Sequence, residues 1–176
     1  MTCRRSNYCF DVATIDSKHF RHVLGHAPTS VVVVAGLDAT AEPQGITIGS
    51  FASVSLTPPL VGFFVGVSSR TWSLIEPPGS FCVNVLAAEQ SELCWRFAKE
   101  SENRFEGIEW NPAPSGNPIL GGVTAWIDCS LHSVTEFGDH YLVVGEVQHL
   151  DLGEQTDTAM VFFRGKVVSA DLPTDN

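Results

Sequence analysis

Positive charge is scarce in this chain: ten Lys plus Arg stand against twenty Asp plus Glu, for a net charge of -10 and a pI near 4.8. A surface of that sign repels a phosphate backbone or an anionic membrane, so no nucleic-acid or membrane partner is expected. Long apolar runs are missing as well. The longest, Val31 to Ala35 and Leu60 to Val67, fall far short of the ~20 residues a membrane helix needs. Arg4-Arg5 near the start are not followed by the apolar stretch of an export signal. A cytoplasmic protein is the expectation.

Other absences narrow the chemistry. The five cysteines, Cys3, Cys9, Cys82, Cys94 and Cys129, are odd in number, irregularly spaced and without a Cys-x-x-Cys. Reduced thiols therefore fit better than a disulfide framework or a zinc site. Cys82 and Cys129 fall in strand-like alternation as small core residues, whereas Cys3 and Cys9 lie in a polar leader. No Gly-x-Ser-x-Gly elbow is present to nominate a nucleophile. No Gly-x-Gly-x-x-Gly is present either, so a nicotinamide cofactor has to bind without a Rossmann domain. His19, His22 and His26 share a helical face at a spacing that suits a metal, but no fourth donor in register accompanies them, and a partly exposed helix face is the preferred reading.

What is present reads as one domain. With 176 residues, 44% of them hydrophobic, the chain can bury a substantial core, and no composition shift marks a linker. The expected organisation is a leader over residues 1–15, a domain over 16–170 and a tail over 171–176. Asp16-Ser17 cap a helix running to Ala27, with Phe20, Val23 and Leu24 as its apolar face. Strands are expected over 29–37, 44–55, 60–67 and 80–86, with short helices over 71–76 and 88–99. Residues 100–118, charged and then rich in Pro, Asn and Gly, read as an extended loop with no regular ladder. Alternation from Val123 to His132, a hairpin at Phe137-Gly138-Asp139-His140, a strand over 141–150 and a closing strand over 159–168 complete an antiparallel barrel pattern.

One stretch departs from ordinary strand chemistry. From Gly45 to Leu60, Ile46 and Ile48 alternate with Gly45, Thr47 and Gly49. Ser50, Ser53 and Ser55 then add hydroxyls before Pro58-Pro59 stops the ladder. Small residues on one face leave backbone open to a flat ligand, and the hydroxyls suit phosphate or carbonyl oxygens. The alternative is a Ser/Thr-rich edge strand and loop of an ordinary barrel.

Around that stretch stand Ser68-Ser69-Arg70-Thr71, Phe81-Cys82-Val83-Asn84-Val85-Leu86, Arg104-Phe105-Glu106-Gly107 and Gly138-Asp139-His140. In this order, over residues 18 to 168, the chain resembles the flavin reductase-like family with an FMN-binding split barrel, small reductases that supply reduced flavin to partner monooxygenases. The resemblance implies a mainly β, antiparallel, Greek-key-like split β-barrel with a few short helices. It also implies a homodimer with the flavin near the subunit interface, FAD or FMN as cofactor, and NADH or NADPH as co-substrate.

By the same resemblance, Thr47, Ser50, Phe51, Ala52, Ser53, Val54 and Ser55 hold the isoalloxazine and ribityl chain, while Ser69, Arg70 and Thr71 meet the phosphate. His140 lies near the nicotinamide, and Asn84 and Phe105 belong to the site. Phe163 and Arg164 on the final strand are expected to border the same slot. Residue chemistry agrees for Arg70, whose planar fork of donors suits a phosphate; the alternative is a solvated arginine at a helix start. Asn84 otherwise satisfies backbone, Phe105 otherwise fills core, and His140 otherwise closes its hairpin by hydrogen bonds. The stretch just before the serine-rich segment carries Glu42 and no lysine, so FAD versus FMN stays open. A barrel flavoenzyme that retains its flavin as an oxidase or monooxygenase, and a non-enzymatic flavin carrier, share these signals. In each case the cofactor carries the redox chemistry and the protein supplies orientation.

Overall fold

The computed structural model describes residues 15–101, 103–154 and 157–171. Cys3 and Cys9 lie outside them. Among the described residues no helix is long and apolar enough to cross a membrane.

The valine run shows how the fold is organised. Val31 to Ala35 are all buried, because β2 (Val32–Leu37) and the residue that leads into it have protein on both faces. Val32 and Val34 point into a barrel core with Phe63, Trp72 and Phe81. Val31, Val33 and Ala35 point outward into a second cluster with Phe97, Leu120 and Met160. A strand covered on both sides reads as a continuous apolar run.

Six more strands build the barrel sheet with it: β3 (Pro43–Ile48), β4 (Ala52–Leu56), β5 (Pro59–Gly66), β6 (Ser80–Val85) and the long hairpin of β9 (Ala125–Phe137) and β10 (His140–Leu152). They form a seven-stranded sheet in the order β3-β2-β6-β9-β10-β5-β4, antiparallel at every pairing. The expected strand over 44–55 is thus two strands, consecutive in the chain and at opposite edges of the sheet. Gly49-Ser50-Phe51 crosses between them. The sheet curls until its edges face, yet β3 and β4 do not pair. Instead the Ser50 hydroxyl takes the place of a ladder step, accepting from the Phe64 N–H at 2.8 Å and donating to the Phe64 carbonyl at 3.1 Å.

Three other expectations are corrected. The strand over 29–37 divides into β1 (Thr29–Ser30) and β2, which belong to different sheets. The strand over 159–168 is a hairpin of β11 (Thr158–Phe163) and β12 (Lys166–Asp171), reversing at Arg164 and Gly165 with φ of 50° and 80°. That hairpin forms a separate three-stranded sheet with β1 rather than closing the barrel. Within 100–118 a short ladder does form, β7 (Trp110–Pro112) with β8 (Pro118–Leu120). Proline removes one donor per residue, but Ala113 N–H to the Asn117 carbonyl at 2.8 Å closes the turn, and Ser115 pins it to buried Asp128 through bonds of 3.0 and 2.6 Å.

The helices are α1 (Ser17–Leu24), α2 (Arg70–Ile75) and α3 (Ser91–Ala98). Asp16 caps α1 by accepting from the His19 N–H at 2.9 Å, as expected, but the helix ends at Leu24 and not Ala27. Its apolar face is not core: Phe20, Val23 and Leu24 are each about half exposed. His26 stands beyond the helix end, its Nδ1 2.9 Å from the His22 carbonyl oxygen. Cys82 and Cys129 are core residues, and Cys94 on α3 is buried too.

Candidate functional site

Gly45 to Ile48 do not present the shallow, ligand-ready face expected from their small residues. A Cβ built on Gly45 would lie 2.7 and 2.8 Å from Phe97 ring carbons and 3.2 Å from Phe105, so α3 occupies that space. Thr47 takes part in the same packing, donating its hydroxyl to the Cys94 carbonyl at 2.7 Å. At Gly49 the neighbour is the Thr29 hydroxyl, 3.2 Å from an added Cβ. The accessible part begins here: Gly49, Ser50, Ala52, Ser53 and Val54 are exposed, and Phe51 and Ser55 partly so. The Ser55 hydroxyl accepts from the Thr57 N–H at 3.2 Å, which leaves Ser53 as the serine of this edge whose hydroxyl bonds to no group among the described residues.

The loop after β5 leads into α2. Ser69 caps that helix, its hydroxyl accepting from the Trp72 N–H at 3.2 Å. Arg70 is exposed, and no ion pair among the described residues engages it. Thr71 is nearly buried, and its hydroxyl accepts from Arg104 Nη1 at 2.6 Å. The same nitrogen donates to the Gly45 carbonyl at 2.8 Å, so one guanidinium ties α2 to β3. Burial pulls Arg104 below the usual arginine pKa, with Glu100 acting in the opposite direction. Its Nε is buried without a partner. Arg70, Thr71, Leu74, Glu100, Ser101 and Arg104 line, with Gln44, a cleft of about 440 Å³. Arg104 carried no role in the sequence beyond its place beside Phe105. The available signal was a cation amid the acids Glu100, Glu102, Glu106 and Glu109, followed by an aromatic that anchors it to the core.

His140 reaches this region through strand pairing. It stands opposite Gly66 in the β10–β5 ladder. The Asp139 carbonyl accepts from the Val67 N–H at 3.1 Å, and the Gly66 carbonyl accepts from the Ser69 N–H at 3.0 Å. The hairpin tip therefore rests against the loop that starts α2. His140 Nδ1 lies 2.7 Å from Asp139 Oδ1, and this hydrogen bond, with the imidazole's charge, holds the Asp139 carboxyl below the usual carboxylate range. One end of β5 thus gathers Ser50 on Phe64, His140 opposite Gly66, and Ser69 to Thr71 just beyond.

Four expected residues are placed elsewhere. Asn84 is fully buried, accepting from the Leu120 N–H at 2.8 Å and donating to the Pro118 carbonyl at 3.1 Å. It holds β6 to β8, the backbone-satisfying alternative named for it in the sequence. Phe105 packs its ring 5.0 Å from that of Phe97 in the outer core cluster. Phe163 and Arg164 line hollows beside α1: the Phe163 ring meets His26 at 6.2 Å, and the Arg164 N–H donates to the Gly25 carbonyl at 2.9 Å. They are separated from Gly49 by Thr29, whose strand partner is Phe162.

Comparison with known proteins gives these positions a context. Residues 24–171 match the family described as flavin reductase like domain. A flavin reductase of Pseudomonas putida is 48% identical over 153 residues, covering 87% of this chain and 89% of the relative. The reductase subunit HsaB of a flavin-dependent monooxygenase from Rhodococcus jostii is 44% identical over 152 residues, 86% of this chain and 77% of that one. Among solved structures, the Streptomyces globisporus NADH:FAD oxidoreductase SgcE6, in complex with NAD and FAD fragments, superposes with a TM-score of 0.83 at 34% identity, covering 91% of this chain and 96% of that one.

Proposed function

Because the chain belongs to the flavin reductase like domain family and is an oxidoreductase acting on flavin, we propose that it reduces FAD or FMN with NADH or NADPH and delivers the reduced flavin to a separate monooxygenase component. The observation that carries this reading is the meeting of Ser50, the Ser69 to Thr71 loop and His140 at the far end of β5, from which the exposed edge at 52–54 runs back along the same strand. The residues fit a flavin. The edge is open along β4, where Ala52 stands opposite Gly62 of β5, and no ion pair among the described residues engages the exposed guanidinium of Arg70.

In this reading backbone and hydroxyl groups from Ser50 to Ser55 hold the ring system, and Arg70 with Thr71 takes the phosphate through charge-assisted hydrogen bonds. A flavin held there would supply the redox chemistry as hydride acceptor. The chain's own contribution is alignment. His140, its ring oriented by Asp139, is a positioning residue for the nucleotide, and close approach of donor and acceptor can supply several kcal/mol, on the order of 7 to 11 at best, without any acid or base.

A homodimer is supported by the apolar side chains left exposed beside this edge, Val54, Leu56 and Phe64, the second of them 92% accessible. Three buried free thiols suit a reducing cytoplasm. Consumption of NADH against added free flavin tests the function. Many turnovers per protein are expected; one equivalent would make the chain a flavin carrier instead.

A further inference from the structure

Helix α1 is set on the fold the wrong way round. Lys18, Arg21 and His22, three and four residues apart on one face, look into an open hollow of about 610 Å³ whose far wall is Phe162, Arg164 and Gly165 of the β11–β12 hairpin. Phe20, Val23 and Leu24 make the other face and are about half exposed. A surface helix of a globular protein normally turns its apolar stripe to the core, yet none of the eight residues of α1 is buried. Two helical turns are marginal in water without tertiary packing. The stripe therefore calls for a cover from outside the described residues.

Charge indicates what that cover is. Four of the chain's ten Lys and Arg, Lys18, Arg21, Arg164 and Lys166, lie on α1 and this hairpin, all exposed, and no ion pair among the described residues engages them. In a chain of net charge -10 they make a local positive field beside an apolar stripe. A second copy is the poorer match, because an isologous contact sets the same cations on both sides of the interface. Residues 1–14 match no better, with Arg4 and Arg5 against Asp11.

We infer that α1 and the β11–β12 hairpin form a docking face for a partner protein, met by a surface of that partner that is acidic around an apolar ridge. The face adjoins the flavin edge: the Arg164 N–H donates to the Gly25 carbonyl at 2.9 Å, and Thr29, four residues on, stands against Gly49. The component that receives reduced flavin is the protein that has to come there, so the inference rests on that reading of the function. Opposite charge would steer the encounter and fix its orientation, while the apolar stripe supplies the contact.

The test follows backbone amides of the isotope-labelled full chain by NMR during titration with a synthetic helical peptide that carries Glu on one face and Leu and Trp on the other. Amides of residues 17–25 and 158–167 are expected to shift, and the affinity to fall at least tenfold between about 0.05 and about 0.5 M salt. Lys18→Glu and Phe20→Ser should each weaken the peptide roughly tenfold or more. Both positions are exposed, and an acid in the first turn suits the helix, so the fold is kept. Peptides with Lys in place of Glu, or Ser in place of Leu and Trp, should bind at least tenfold more weakly. Equal binding of acidic and basic peptides, shifts confined to other surfaces, or unchanged affinity in both variants overturns the inference. So does a variant that converts a dimer to monomer, which gives the stripe to a second copy, or one that raises the KM for NADH, which gives the cations to the nucleotide. Turnover of NADH with free flavin is expected to be unchanged in both variants and separates the two readings: its absence in wild type removes the reductase function, whereas docking is judged on the peptide.

Discussion

His140 stands directly across from Gly66 in the β10–β5 ladder, three residues before the serine that caps α2. A hairpin tip 70 positions further along the chain is thereby set beside the loop assigned to phosphate. His140→Ala is expected to slow flavin reduction or raise the KM for NAD(P)H by roughly ten- to a hundredfold, through misalignment of the donor, with the flavin dissociation constant unchanged. Asp139→Asn should move the same parameters in the same direction, since Asp139 orients the ring at 2.7 Å. Stopped-flow reduction of flavin-loaded protein decides it, and wild-type rates in both variants would leave His140 as a hairpin residue.

Arg70→Ala should weaken FMN and FAD about tenfold or more, the equivalent of ~1.5 to 3 kcal/mol for a hydrogen bond to a charged group. Riboflavin should bind as before. Equal losses for all three flavins, measured by fluorescence quenching, would assign Arg70 another role.

Gly45→Ala separates packing from ligand approach. The added methyl would meet Phe97 at 2.7 Å, and overpacking of that kind costs typically ~1 to 3 kcal/mol. The expected outcome is a lower Tm, relieved when Phe97→Leu makes room. A Gly45→Ala protein of wild-type stability with weakened flavin binding would restore the shallow-face interpretation.

Alkaline pH should destabilise the fold through its thiols. Burial pushes Cys129 up to about 12 and raises Cys82 and Cys94 as well. The unfolded chain releases these protons near the ordinary thiol value of ~8.5 while the folded chain retains them. Stability is therefore full below about pH 8.5 and falls as pH rises toward the folded values, by up to ~1.4 kcal/mol per pH unit for each cysteine. Urea midpoints measured from pH 7 to 10 check this, and Cys129→Ala should flatten the slope by one thiol. In native protein at pH 8 all three should resist a thiol reagent.

Strand alternation and turn chemistry made most of the barrel legible. Ile127 to Leu131, the Gly138-Asp139 turn and the caps at Asp16 and Ser69 stand where their residue types demand. The breaks were harder to read. Nothing local distinguishes Gly49-Ser50-Phe51 from a continuing strand, because the chain parts there to serve two edges that only the curled sheet brings near each other. The small residues at Gly45 and Thr47 announced a close approach correctly, but sequence does not say whether helix or ligand makes it. Asn84 illustrates the same limit: a polar residue within an apolar run signals a required hydrogen bond, and its partners at Pro118 and Leu120 depend on a short hairpin whose prolines disguise it. Arg104 stayed hidden because its partners, Gly45 and Thr71, come from two other elements.

Closing the barrel with a hydroxyl rather than with main chain gives it a seam. The Phe64 amide points at Ser50 Oγ, a side chain free to rotate about one bond, so a single torsional step can uncover it while every strand stays paired. Its proton can then trade with solvent deuterium without a global opening, unlike the amides deep in the β9–β10 ladder. The seam lies along the edge assigned to flavin, so a ligand resting there would act as a removable fastener and slow that exchange, giving a report of occupancy that needs no chromophore and no turnover.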